Sequence, residues 1–354
     1  MSTAAPPLVS VVMPVYNTAR HLEQAIASIL NQTFTNFELL LFNDGSTDDS
    51  GAVARTFADA RIQLFDQAQN VGHVAHLNHA MELARGTYIA CMHSDDVAHP
   101  TRLAQQVAMM ENHPEVGLCG TAYREFGIRQ GLVSVPETDA EIRRWMLAGC
   151  PFGHPTVMMR KSVVERYHLR YDPTAVPAED YLLWHEFSRV TQLANLTGPL
   201  LDYRVHESQI SNVHSEQRPA SVNNTRRRQL LDKGFVLAPR EWELYVRILD
   251  RSTRPRTARD LHELLAAMWN ISRQNTRLSA YPAEWFKDLF AAAWQDAVIA
   301  IKHHHWTYVQ PVLLAPKPFS DPLNPTDRLK FVVKCALAWR VVGVPLASPT
   351  LPDA

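Results

Sequence analysis

Over residues 9–92, strand-like runs alternate with helix-periodic segments, and few architectures accept that order. Residues 9–15 are a β-branched run, residues 19–32 carry apolar side chains at helical spacing, and residues 37–42 form a second apolar run ending at Asn43-Asp44-Gly45-Ser46. A helix at 48–58, a strand at 62–65, a helix at 74–84 and a strand at 88–92 continue the series. Strand, helix and strand in succession give parallel pairs, so the expected core is an α/β, mostly parallel sheet with helices on both faces. Ligands of such sheets sit beyond the carboxyl ends of the strands. The residues of interest are therefore Pro14-Val15-Tyr16-Asn17, Asn43-Asp44-Gly45-Ser46 and His93-Ser94-Asp95-Asp96, which should meet at one rim.

After a helix at 100–112 the pattern turns mixed. Residues 117–126 and 132–135 are strand-like, 139–148 helical, 156–159 strand-like, 179–189 helical and 200–205 extended, so antiparallel members are expected. From about residue 215 the composition shifts to Arg226-Arg227-Arg228, spaced tryptophans and long amphipathic patterns. The reading is a domain at 1–214, with halves at about 8–112 and 113–214, followed by a C-terminal helical region at 215–354. Pro311, Pro316, Pro318, Pro322 and Pro325 prevent a helix at 311–325 and read as an extended connector, with a final helix at 326–342.

Composition narrows the function. With 46% hydrophobic and 20% charged residues in 354, the chain can bury a sizeable core. Thirty-five basic against 36 acidic residues, net charge −1, give no overall field for nucleic acid, which excludes a nucleic-acid-coating role. Cys91, Cys119, Cys150 and Cys335 are widely spaced without a CxxC pair, so neither a disulfide framework nor a zinc knuckle is indicated. The first seven residues lack a leader's cationic and apolar regions, and no apolar run approaches the ~20 residues of a membrane span. A cytoplasmic protein is expected.

Acids at strand and helix ends are the strongest chemical signal. Asp44 precedes Gly45, which permits a tight turn, and on its own reads equally as a turn residue. Asp95 and Asp96 are adjacent after an apolar strand, where they repel unless solvent or a cation intervenes, and their oxygens suit Mg2+ or Mn2+ carried by a diphosphate. Glu179 and Asp180 open a helix, where the macrodipole favours acids in any case; the alternative is a carboxylate general base.

Several segments then occur in a telling order: 9–17 (VSVVMPVYN), 28–34 (SILNQTF), 43–48 (NDGSTD), 70–72 (NVG), 84–89 (ARGTYI), 94–96 (SDD), 178–180 (AED) and 203–206 (YRVH). Together they resemble the family 2 inverting glycosyltransferases of GT-A fold, over about residues 8–212. The resemblance implies a Rossmann-like sheet and transfer of a sugar, hexosyltransferase-like, from a nucleotide diphosphate sugar (UDP-sugar favoured) to a hydroxyl of a glycan or lipid-linked acceptor, in surface polysaccharide or glycolipid synthesis. It implies that Pro14, Tyr16 and Asn17 line the nucleotide pocket, that Asp44 bonds the base edge, and that Asp95 contacts ribose or sugar. Asp96, with His206 as a further ligand, would hold a divalent cation, and Asp180 would deprotonate the acceptor. Relatives commonly read Asp-Ser-Asp-Asp where this chain has His93-Ser94-Asp95-Asp96, and imidazole suits Mn2+ better than Mg2+, so metal dependence is open.

His154, in Phe152-Gly153-His154-Pro155, is a candidate acceptor-side residue, His93 a candidate contact of donor sugar or phosphate, and Glu179 a further candidate site residue. His73, His76 and His79 drift around a helix and do not read as a ligand array; His303-His304-His305 read as a solvated or partly packed segment. Leu329, Val332, Val333, Ala336 and Leu337 share one helical face, flanked by Arg328, Lys330, Lys334 and Arg340. That face suits a peripheral contact with the inner membrane surface or, preferably, packing on the helical region or in a homodimer. Two alternatives stay open: a catalytically inactive scaffold of the same fold, and a nucleotidyltransferase, although residues 14–17 are not the glycine-rich basic loop the latter needs.

Overall fold

The computed structural model describes residues 6–207, 209, 216–253 and 257–299. The prolines at 311–325, the helix expected at 326–342, Cys335 and the histidines at 303–305 lie outside the described residues. The chain divides into two compact units, 1–226 and 227–354.

The first unit opens with β1 (Val9–Val15), α1 (Ala19–Leu30), β2 (Phe37–Asp44), α2 (Ser50–Arg55), β3 (Ile62–Gln67), α3 (His73–Leu83) and β4 (Tyr88–Cys91). β5 (Val97–Ala98), α4 (Arg102–Asn112), β6 (Val116–Gly127), β7 (Gly131–Val133) and α5 (Asp139–Met146) follow. Then come β8 (Met158–Arg160), α6 (Lys161–Tyr167), α7 (Glu179–Ser188), β9 (Gln192–Val205) and α8 (Arg218–Asp232), and the division between the units falls within α8.

Among the described residues the strands form one nine-stranded sheet of order β3-β2-β1-β4-β8-β6-β9-β5, with β7 on β6. β1 runs parallel to β2 and β4, and β2 parallel to β3. β8 enters antiparallel between β4 and β6, and β6 is parallel to β9. The antiparallel members expected beyond residue 112 are thus present. β9 starts eight residues before the extended segment read from sequence, because Gly198-Pro199 interrupts its apolar run at a register shift opposite Ala122. β5 is two residues long and α6 only seven, too short for a periodic signal.

Period-two alternation assigns each sheet face. Val12, Leu40, Phe42, Ile89 and Cys91 pack on one side with Leu77, Met81, Trp184 and Phe187. Val9, Val11, Met13, Leu39, Leu41 and Ala90 pack on the other with Leu22, Ile26, Leu103 and Met110. Strands covered on both faces are apolar throughout, which is why they read as continuous runs. Buried polar groups are paired. Glu38 accepts from Ser10 Oγ at 2.6 Å, Gln63 Nε2 at 2.7 Å and the Arg85 backbone N–H at 2.9 Å. Arg102, fully buried, donates to the Cys91 carbonyl at 2.8 Å, pinning the end of β4.

Topology positions the site. β2 and β3 extend from one edge of β1 while β4 lies on the other, so strand order reverses beside β1 and leaves a crevice beyond its carboxyl end.

The second unit contains α9 (Pro239–Leu249), α10 (Ala258–Leu278) and α11 (Ala283–Ile299), with Tyr245, Leu261, Met268, Ile271, Phe286, Phe290 and Trp294 buried. Trp294 is buried in the core, whereas Trp269 is 50% exposed. Among the described residues no helix is long and apolar enough to cross a membrane, and Cys91, Cys119 and Cys150 are free thiols.

Candidate active site

The rim begins with the loop after β1. Pro14 is half-buried opposite Phe42 of β2, and Tyr16 is 48% exposed beyond the strand end. Asn17 has φ +51°, a left-handed conformation asparagine tolerates. Its N–H donates to Ser46 Oγ at 3.0 Å and its Oδ1 accepts the Thr47 N–H at 2.8 Å, tying the β1 and β2 loops together. Thr18 reaches the third loop, its Oγ1 3.0 Å from Ser94 Oγ.

Asp44, at the end of β2, is buried, and its carboxylate accepts from the N–H groups of Val71 (2.7 Å) and Gly72 (3.0 Å) and meets His76 Nε2 at 2.7 Å. It therefore anchors the entry to α3. Gly45 follows with φ +64°, and a Cβ there would lie 2.6 Å from the Gln69 carbonyl carbon and 2.7 Å from the Asn70 nitrogen. Gly45→Ala must push back the segment that brings Val71 and Gly72 to Asp44. Its expected effect is a stability loss of about 1–3 kcal/mol with weakened nucleotide binding. A lower urea midpoint at constant slope would show it; an unchanged midpoint would refute it.

After β4 the chain places His93, Asp95 and Asp96 so that one ligand atom from each lies within 4.8 Å of the others. Asp96 Oδ1 accepts the Arg204 backbone N–H at 2.7 Å, while its buried Oδ2 has no hydrogen-bond partner among the described residues. Burial, reinforced by the Asp95 charge, raises the Asp96 carboxyl above its ordinary range. Asp95 is opposite in sense: burial raises it, but the His206 hydrogen bond and the His93 charge prevail and hold it low. A buried, orphaned carboxylate oxygen among mixed nitrogen and oxygen donors fits a divalent cation, Mn2+ better than Mg2+. His206 lies outside this group of three; its Nε2 is 2.9 Å from Asp95 Oδ2.

His93 Nε2 meets His154 Nδ1 at 2.9 Å, and His154 Nε2 meets Tyr171 Oη at 2.9 Å. Burial opposes protonation of His93, but the Asp96, Asp95 and Asp180 charges outweigh it and raise its pKa. Burial, then the neighbouring His93 and His73 side chains, hold His154 well below the ordinary imidazole value, so it is neutral.

Glu179 and Asp180 form the first turn of α7, whose Tyr181, Trp184 and Phe187 are buried in the core. Glu179 Oε1 is 2.7 Å from Nε2 of His73, the first residue of α3. Asp180 Oδ1 accepts the Tyr181 N–H at 2.7 Å, and Oδ2 lies 3.9 Å from Cys150 Sγ. Burial first, then the adjacent Glu179 charge, push the Asp180 carboxyl up to about 6. A half-buried carboxylate titrating there is poised to accept a proton near neutral pH.

The structure thus brings His93, Asp95 and Asp96 together, hydrogen-bonds His93 to His154, and puts His73 and His76 on Glu179 and Asp44, parts the sequence did not assign them. His79 instead packs against Phe42, ring centroids 5.8 Å apart. Arg204 was also missed: its backbone N–H binds Asp96 and its Nε the Asp95 carbonyl at 2.8 Å. No spacing rule exposes such pairs, because their partners lie 32 to 109 residues away.

Residues 10–167 match the family described as "Glycosyl transferase family 2". An uncharacterized glycosyltransferase of Haemophilus influenzae is 30% identical over 241 residues, covering 63% of this chain and 73% of the relative. This chain belongs to glycosyl transferase family 2. It is accordingly an inverting glycosyltransferase that uses a nucleotide sugar, which sets aside the nucleotidyltransferase alternative. A second family relative, the Escherichia coli UDP-Glc:alpha-D-GlcNAc-diphosphoundecaprenol beta-1,3-glucosyltransferase WfgD, is 28% identical over 207 residues, covering 58% of this chain and 79% of the relative. The fold matches that of Staphylococcus aureus TarS 1-349 in complex with UDP-GlcNAc, at TM-score 0.55 and 15% identity over 94% of this chain and 91% of that one. It also matches the mannosyltransferase PcManGT from Pyrobaculum calidifontis in complex with GDP-Man and Mn2+, at TM-score 0.50 and 17% identity over 95% and 89% of the two chains. The GT-A fold expected from the sequence is thereby present.

Proposed function

We propose that this family 2 enzyme takes its sugar from a UDP-sugar and delivers it to a hydroxyl of a glycan or lipid-linked acceptor in surface polysaccharide or glycolipid synthesis. The carrying observation is the half-buried Asp180 carboxyl in the first turn of α7 beside Glu179, raised to about 6 by burial and the Glu179 charge. Support for the donor comes from the UDP-sugars in the names of WfgD and TarS, and for the lipid-linked acceptor from the diphosphoundecaprenol in the name of WfgD.

In this reading Tyr16 and Asn17 flank the nucleotide, Asp44 meets the base edge through the carboxylate capacity that Val71, Gly72 and His76 leave, and Asp95 meets ribose or sugar. A divalent cation held by His93, Asp95 and Asp96 would neutralise charge developing on the diphosphate leaving group. Asp180 takes the acceptor hydroxyl proton as the oxygen attacks the anomeric carbon from the face opposite the diphosphate. The bond to the nucleoside diphosphate breaks as the new glycosidic bond forms, inverting the configuration.

Thermal-shift titration of the purified chain with UDP-glucose and UDP-N-acetylglucosamine, each with Mn2+, tests the donor. A ligand at a hundred times its dissociation constant adds about 2.7 kcal/mol to stability, so a clear rise in Tm and slow release of UDP are expected. No shift and no release with either UDP-sugar would overturn the UDP-sugar reading.

A further inference from the structure

Asp96, His93, His154, Tyr171 and Cys91 run in single file from the rim into the core. His93 Nδ1 faces Asp96 Oδ2 at 3.5 Å, beyond hydrogen-bond length, and His93 Nε2 meets His154 Nδ1 at 2.9 Å. His154 Nε2 meets Tyr171 Oη at 2.9 Å, and that oxygen lies 3.6 Å from Cys91 Sγ. Packing fixes the rings. His93 and His154 stack at 5.2 Å and 25°, His154 stacks on Trp184 at 6.1 Å and 27°, and Tyr171 meets Trp184 edge-on at 6.2 Å.

A neutral imidazole has one N–H, so the file admits two proton orders. In one, Tyr171 donates to His154, His154 donates through Nδ1 to His93, and His93 must keep its proton on Nδ1, facing Asp96. In the other, His93 donates through Nε2 to His154, His154 donates through Nε2 to Tyr171, and Tyr171 donates to the Cys91 sulfur. The second order leaves a lone pair on His93 Nδ1 beside the one oxygen of Asp96 that has no hydrogen-bond partner among the described residues. Both orders are neutral and contain the same number of protons, so no buried charge has to be created.

We propose that His93 is a nitrogen ligand for the divalent cation, kept open at Nδ1 by His154 and Tyr171, and that this chain therefore prefers Mn2+ to Mg2+ when it binds its nucleotide. The proposal deepens the UDP-sugar reading and rests on it. Imidazole is a better ligand for Mn2+ than for Mg2+, which favours all-oxygen shells more strictly, and a hydrogen-bonded partner that sets the tautomer contributes to affinity without touching the metal. Tyr171 is thereby a positioning residue. Without its hydroxyl, the His154 Nε2–H loses its acceptor, the ring turns its proton to Nδ1, and His93 is driven to the tautomer that blocks the metal.

The test is pulsed electron paramagnetic resonance on the full chain with Mn2+ and UDP, alongside calorimetric UDP titrations in Mn2+, in Mg2+ and without metal. Wild type should show nitrogen modulation from a directly bound imidazole and at least tenfold tighter UDP binding in Mn2+ than in Mg2+. His93→Asp should still bind Mn2+ with UDP, lose the nitrogen signal and lose the preference. Tyr171→Phe, which keeps the packed ring, should weaken Mn2+-dependent UDP binding by about tenfold and leave metal-free UDP binding unchanged. Wild-type Mn2+ bound without a nitrogen signal, or equal UDP affinity in the two metals, overturns the proposal while metal-free UDP binding keeps the donor reading. If UDP binds under no condition, both fall.

Discussion

Asp180→Asn should lower turnover by on the order of a hundredfold or more at saturating donor and acceptor, with donor affinity close to wild type. Asparagine keeps the oxygen that accepts the Tyr181 N–H and removes only the capacity to take a proton. In the wild type the base must be ionised, so turnover should climb as pH rises through about 6 and then level off. Stability should move the other way. The folded carboxyl titrates at about 6 against 3.8 in the unfolded chain, so the folded state binds more protons between those values and stability falls as pH rises across them. At pH 7 the Asn variant should therefore melt higher than wild type while turning over far more slowly. A variant of normal turnover would reduce Asp180 to a helix-terminal acid.

Asp96→Asn should weaken UDP binding in Mn2+ by tenfold or more and change metal-free binding little. Metal and nucleotide are coupled when a cation bridges them, and the coupling disappears with the ligand. Asparagine preserves the acceptor for the Arg204 N–H, so the loop after β4 keeps its anchor and the loss falls on the orphaned Oδ2. Equal loss with and without metal would mean that Asp96 touches the nucleotide side directly or holds the loop.

The sequence carried the sheet because β1, β2 and β4 are covered on both faces and so read as unbroken apolar runs, with Asn43-Asp44-Gly45 and Ser94-Asp95-Asp96 at their ends. It carried the start of α7 because Glu179 and Asp180 precede a periodic stretch. α6 was not legible: Lys161-Ser162-Val163-Val164 offers only one buried position, Val164. Nor was the histidine layer. His73, His76 and His154 look like ordinary helix and loop residues until folding brings α3 against the ends of β2 and α7, and their roles arise from partners distant in the chain. His93 was conspicuous as a departure from the expected acid, but its link to His154 and Tyr171 exists only once β4 and β8 pair.

The sheet of the first unit is continuous from β3 to β5, and β8 is stitched between β4 and β6 by hydrogen bonds on both sides. Among the described residues no hinge separates the half that presents Asp44 and Asp96 from the half that presents Asp180, since opening them would tear a ladder and expose both core layers. Motion during the catalytic cycle therefore belongs to the loops above the strand ends. Admission of donor and escape of spent nucleotide are matters of a few residues such as Tyr16 and the 69–72 segment rearranging over a stationary floor. Rates of product release should accordingly respond to substitutions in those loops and be insensitive to changes in the strands beneath them.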